Sequence, residues 1–129
     1  MNKEYTKELM LDFGPDGKSL IPVITQDISS LKVLILAYTN KEAFEETRRS
    51  GYATFFSRSR GEIWTKGLTS GNMMRIGEIR INCEQNSLLY LVSPEGHGAC
   101  HAKRPDGSTY TACYYRRILA DDRLEIIEN

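Results

Sequence analysis

Three cysteines carry the chemistry of this chain: Cys83, Cys100 and Cys113, with His101 directly after the second. Thiolates are strong zinc ligands, and three of them leave the fourth tetrahedral position open to water. A zinc ion with an open position is a hydrolytic catalyst. The spacing, 17 positions from Cys83 to Cys100 and 13 from Cys100 to Cys113, is not that of a CxxC knuckle. Free cysteine is also a common small buried apolar residue, so spacing alone is a weak signal. The neighbours favour a site. Cys83 stands in the polar turn Asn82-Cys83-Glu84-Gln85-Asn86, and Cys100 lies between a glycine-rich loop and His101. Adjacent residues on extended backbone point to opposite sides, so a general-base role suits His101 better than ligation beside Cys100. His97, between two glycines, is less convincing and reads as a solvated loop residue.

A second group of residues suits phosphate. Ser57-Arg58-Ser59-Arg60 sets two guanidiniums and two hydroxyls side by side, and arginine binds phosphate oxygens through paired hydrogen bonds. The same four residues could equally form a solvated turn. Trp64, Lys66, Thr69 and Ser70 follow, adding a cation, hydroxyls and an aromatic ring that could instead belong to the core.

These residues need a frame. Ile21 to Asp27 reads as a short strand and Leu31 to Tyr38 as a central one. Thr39 or Asn40 can cap a helix, NKEAFEETRRSG, which Gly51 ends. Tyr52 to Arg58 is a strand that turns at Gly61 and pairs back through Ile63 to Lys66. Strands from Met74 to Cys83 and from Ser87 to Val92 flank the NCEQN turn. A loop from Ser93 to Gly98 leads to Cys100–Thr111, an irregular stretch holding the turn Pro105-Asp106-Gly107. Tyr114 to Leu119 is a last strand. The expected fold class is α+β: a compact single domain, residues 1–129, of mostly antiparallel short strands with one main helix.

Composition narrows the setting. Lys plus Arg and Asp plus Glu both number 17, so no global field favours nucleic acid or a membrane surface. The N-terminus MNKEYTKELMLDF is too polar for a secretory segment, and no apolar run approaches the roughly 20 residues of a membrane span. The chain therefore reads as cytoplasmic, with reduced thiols available to a metal. An odd cysteine count agrees.

The run SRSRGEIWTKGLTSGN, then GEIRINCE, then ACH and CYY, resembles the phosphoribosyl-AMP cyclohydrolases of histidine biosynthesis over about residues 20–118. That resemblance implies a zinc enzyme hydrolysing the N1–C6 bond of the adenine ring of 1-(5-phosphoribosyl)-AMP. It assigns zinc to Cys83, Cys100 and Cys113, and proton transfer to His101. It gives Ser57, Arg58, Ser59, Arg60, Trp64, Lys66, Thr69 and Ser70 to the phosphorylated purine nucleotide. It also implies a homodimer whose zinc sites are shared, Cys83 from one chain joining Cys100 and Cys113 of the other.

The chain departs from the family pattern in three places. The family's first-cysteine turn reads Asp-Cys-Asp-x-Asp and is linked to a second metal, usually magnesium. Here Asn82, Glu84 and Asn86 stand at those positions, one carboxylate in place of three. Magnesium prefers hard, charged oxygens, so the three read as a degenerate magnesium site. The segment from Cys100 to Cys113, CHAKRPDGSTYTAC, is longer than the family's CHxxRxxC-like link, and the added residues are expected to form a hairpin at the mouth of the site. Leu68 stands where the family often has Glu. An alternative reading follows from these changes: a diverged member acting on another modified purine nucleotide, or only binding nucleotide.

Overall fold

In the computed structural model, which describes residues 2–128, the main sheet is built on a parallel pair, β1 (Ile21–Asp27) beside β6 (Leu88–Pro94). β2 (Val33–Thr39) flanks β1 and β5 (Met74–Ile81) flanks β6, both antiparallel, giving the order β2-β1-β6-β5. The turn between β1 and β2 is set by Asp27, whose carboxylate accepts the N–H of Ser29 at 2.8 Å.

One face of this sheet carries the core. Val23, Leu34, Tyr90 and Val92 are fully buried there, and Phe55 and Met74 join them from β3 (Thr54–Ser57) and β5. The helix α1 (Lys41–Ser50) packs on that face through Ala43, Phe44 and Thr47. Its ends follow the sequence signals. The Asn40 side chain accepts the Ala43 N–H at 2.9 Å, and Gly51 closes the helix in the left-handed region with its N–H on Thr47 O. Asn40 is thus the cap, rather than Thr39.

β3 and β4 (Glu62–Thr65) form the hairpin that presents the SRSR turn. The chain just before it is hung on β5, with Ala53 N–H on Met74 O at 2.9 Å. Arg58 lies in the turn, outside the strand expected from Tyr52 to Arg58, because the Ser57 carbonyl accepts the Gly61 N–H and closes the loop.

Two further expectations are corrected. Leu31–Tyr38 reads as a central strand, but β2 is at the sheet edge, and Leu31 sits in the turn at φ 64°. Its apolar run misleads because Val33 and Leu36 face outward, away from the core, where they remain exposed. The last strand shrinks to β7 (Arg116–Ile118) and pairs with a strand not anticipated, β8 (Leu124–Ile126). The described residues form one compact domain of the α+β type, with a single helix and mostly antiparallel strands. No helix in it is long and apolar enough to cross a membrane.

Candidate active site

Cys100 and Cys113 are brought together by a hairpin. Ala99 N–H donates to Thr111 O at 2.9 Å, Cys100 N–H to Tyr110 O at 3.2 Å, and Tyr110 N–H to Ala102 O at 3.1 Å. Gly98 permits this close approach, since a Cβ there would stand 2.3 Å from Tyr110 O. The tip is the expected turn, with Gly107 N–H on Arg104 O at 2.9 Å. Cys113 is then anchored to the main sheet, its N–H on Leu34 O at 2.8 Å.

The two sulfurs lie close enough to interact electrostatically. Cys100 is buried, whereas Cys113 keeps an exposed edge. Desolvation, and then the neighbouring Cys100 sulfur, push the Cys113 thiol up to about 11, with the Lys66 ammonium opposing. Lys66 is itself held below the usual lysine range by burial, with Cys113 and Cys100 opposing. Ala102 N–H points to Cys100 Sγ at 3.4 Å, a donor suited to an anionic sulfur. A thiol kept protonated by burial and a neighbouring sulfur ionises once a divalent cation replaces its proton. This pair therefore fits part of a zinc donor set.

Beside the pair lies a cavity of about 750 Å³. Cys113 and His101 form one wall, and Arg58, Ser59, Arg60, Trp64 and Lys66 form another. β2 closes it with Tyr38, over whose ring the Arg58 guanidinium sits at 4.0 Å. Ser57 shapes the turn by accepting the Arg60 N–H on its Oγ at 3.2 Å, and its hydroxyl meets that of Ser59. Trp64 packs at a tilt on core Phe55 and also lines the cavity. A second cavity of about 540 Å³ shares Arg60, Trp64, Lys66 and His101 with the first, and adds Thr69 and Ser70. Gly67 lets this loop close, because a Cβ there would lie 2.1 Å from the Asn72 backbone. Leu68 is exposed at its rim. His97 is exposed in the neighbouring loop, its N–H on Asn72 Oδ1 at 2.8 Å.

Cys83 is elsewhere. It stands at the end of β5, exposed, beside the N-terminal residues 3–9. Among the described residues no group of three His, Cys, Asp or Glu side chains converges on a point that could hold a metal ion. Within one chain, then, neither Cys83 nor His101 completes the Cys100–Cys113 pair.

The turn around Cys83 is closed by amides. Asn82 Nδ2 donates to Asn86 Oδ1 at 2.6 Å, and Asn82 Oδ1 accepts the N–H groups of Asn86 and Ser87, each at 2.9 Å. Asn86 Nδ2 lies 3.4 Å from Glu84 Oε2. Both amide oxygens are thus taken, and one carboxylate remains. This set does not fit magnesium, which requires several hard oxygens free to coordinate.

A family model described as phosphoribosyl-AMP cyclohydrolase matches residues 35–115. Phosphoribosyl-AMP cyclohydrolase from Archaeoglobus fulgidus is 49% identical over 107 residues, covering 83% of this chain and 93% of that protein. The enzyme of Desulforapulum autotrophicum is 43% identical over 118 residues, covering 92% and 89%. That of Chlorobium chlorochromatii is 40% identical over 125 residues, covering 97% and 86%. The chain belongs to the phosphoribosyl-AMP cyclohydrolase family.

In this cyclohydrolase fold the residues singled out from the sequence divide into two places. Ser59, Arg58, Arg60, Trp64, Lys66, Thr69, Ser70 and His101 line the two joined cavities with Cys113, and Ser57 holds their turn. Asn82, Cys83, Glu84 and Asn86 form the separate turn. The expected hairpin between Cys100 and Cys113 is present, but Arg104, Pro105 and Asp106 line a different cavity, with Ile126 and Glu128. Sequence reading missed two residues. Tyr38 carries Arg58, and its only signal is its place at the end of an apolar strand. Gln85 is buried at 5% exposure and accepts Met10 N–H at 2.6 Å while donating to Lys3 O and Glu8 O. It ties the N-terminal segment to the Cys83 turn, and nothing in the NCEQN string marks that contact.

Proposed function

We propose that this chain hydrolyses the N1–C6 bond of the adenine ring of 1-(5-phosphoribosyl)-AMP, a step of histidine biosynthesis, and that it does so as a homodimer. The observation that carries the reading is the cavity in which the SRSR arginines, Lys66 and His101 meet Cys113, with Cys100 buried behind it. The names of its relatives supply the substrate.

Arg58, Arg60, Ser57 and Ser59 are suited to one phosphate of the substrate, and Lys66, Thr69 and Ser70 to the other. Holding both ends fixes the ring between them, which replaces a random encounter by an oriented one. Zinc held by Cys100 and Cys113 with Cys83 of the second copy would supply a water acidified to near neutral pH. His101, on the cavity wall beside Cys113, takes the water proton as oxygen bonds to C6. The N1–C6 bond then breaks, N1 receives a proton, and C6 becomes the carboxamide carbon of the product. Positive charge on the N1-substituted ring makes C6 electrophilic. Magnesium enters no step, consistent with the closed amides of Asn82 and Asn86.

Two features favour the dimer. Cys83 is exposed and apart from the other thiols, as a ligand donated to a neighbour would be. The outer sheet face carries Ile24 opposite Leu36, exposed by 45% and 50%. Isolated apolar residues are ordinary, but a cross-strand pair beside Val33 makes a patch suited to a second copy. The direct test follows ultraviolet absorbance as the purine ring opens. Turnover with zinc alone is expected, together with loss of both zinc and turnover in Cys100→Ser. Absence of turnover with zinc and magnesium both supplied would overturn the reading in favour of a diverged binding protein.

A further inference from the structure

The region matched by the family model stops at residue 115, but the chain beyond it is fastened to the hairpin that carries Cys100 and Cys113. β7 and β8 form a hairpin whose base is closed by Ile127 N–H on Tyr115 O at 2.9 Å. Glu128 follows, with its side chain only 12% exposed. Its carboxylate accepts the N–H of Thr111 and, at 3.2 Å, that of Ala112. The next N–H, that of Cys113, goes to Leu34 O. Three consecutive amides before and at the thiol are therefore fixed, two of them by one anion. The same carboxylate pairs with Arg104 Nη2 at 2.5 Å, in the stretch that makes this Cys100–Cys113 segment long.

A second contact joins the same two elements. The Arg104 guanidinium lies 5.0 Å over Tyr110, and Tyr110 stacks on Tyr115 at 3.8 Å between ring centres. Arg116 covers Tyr115 at 4.9 Å. Cation, two rings and cation thus span from the 100–113 hairpin to the C-terminal one. Charge-assisted hydrogen bonds in a half-buried setting are among the stronger local contacts, and this one sits one residue from Cys113.

We propose that Glu128 is a positioning residue for the Cys100–Cys113 pair: it clamps the 100–113 hairpin by receiving the two N–H groups that precede Cys113 and by holding Arg104. The longer segment and the C-terminal hairpin are then two halves of one device. The proposal rests on the reading of these thiols as reacting-centre ligands, but its first measurement does not.

In the full-length protein as purified, the iodoacetamide reaction of each cysteine is followed by peptide mass spectrometry, with Cys83 as internal reference. Glu128→Ala is expected to speed Cys113 alkylation by about tenfold, the equivalent of one charge-assisted hydrogen bond, with Cys83 changed less than about twofold. Glu128→Gln keeps one carbonyl acceptor and should fall between, and it serves alone if the alanine variant does not fold. In turnover, kcat should fall with KM nearly unchanged, because the residues assigned to phosphate are untouched. A Cys113 rate within about twofold of the wild type, or an equal rise at Cys83, overturns the proposal. Failure of the functional reading would look different: a wild-type protein without turnover, yet with Cys113 still responding to Glu128.

Discussion

Asn82 and Asn86 show what one atom can change. An amide offers a donor where a carboxylate offers charge, so the two side chains hold each other directly at 2.6 Å. Two carboxylates in that geometry would repel and call for a cation. Asn82→Asp with Asn86→Asp is therefore expected to lower the melting temperature without magnesium, by the loss of about 1–2 kcal/mol. Millimolar magnesium should restore it. A melting curve that ignores magnesium in this variant would show that these positions do not face a metal even as carboxylates. The substitution was plain in the sequence, and so was its charge. The closed amide ring was not, because it depends on the backbone turning at Gln85, which adopts φ 53°.

At the scale of elements, the hairpin carrying both thiols is the critical piece. Gly98→Ala would force a Cβ into the Tyr110 carbonyl, and the ladder from Ala99 to Ala102 would have to part. A loss of about 2 kcal/mol in stability is expected, with turnover falling further than stability predicts. Urea unfolding beside the activity assay checks both. The C-terminal hairpin adds a pH signature. Burial raises the Glu128 carboxyl, but the N–H donors of Thr111 and Ala112 outweigh it, and the net shift is downward from 4.5. A depressed carboxyl stabilises the fold above its unfolded pKa, and that stability is lost as pH falls through the lower, folded value. Glu128→Gln should therefore flatten the acid limb of a stability–pH curve below about pH 4.5. An unchanged acid limb would contradict the role given to this carboxylate.

These elements were unequally legible. The helix and its ends followed from Asn40, the acidic start, the basic finish and Gly51, all local signals. The β3–β4 hairpin followed from the aromatic strand and the turn at Gly61. Long-range choices left no local trace. β1 pairs in parallel with β6, more than 60 residues on, and this leaves the more apolar β2 at the edge. β8 is three exposed residues whose partner alone makes them a strand. The cavity was legible as a list of residues, since SRSR and WTKGLTSGN lie within one hairpin and its loop. The closeness of Cys113 and His101 to that hairpin depends on the whole fold.

For the whole molecule, the outer face of the sheet and the place of Cys83 are the basis of the proposed dimer. An apolar strand at a sheet edge is anomalous for a solitary domain and ordinary for one half of an interface. Ile24→Lys, on the exposed face opposite Leu36, is expected to shift the protein from dimer to monomer in analytical ultracentrifugation and to abolish turnover. An unchanged sedimentation profile with full activity would place the interface elsewhere.

Shared sites make a stricter demand, which mixing meets directly. Cys83→Ser and Cys113→Ser chains should each be inactive alone. Unfolded together and refolded, they form some mixed dimers with one intact site, contributed by Cys83 of one chain and Cys100 and Cys113 of the other. Ring-opening absorbance should then recover to about a quarter of the wild-type rate, since half the dimers are mixed and half their sites are whole. A mixture as inactive as its components would contradict a catalytic centre shared between two copies of this chain.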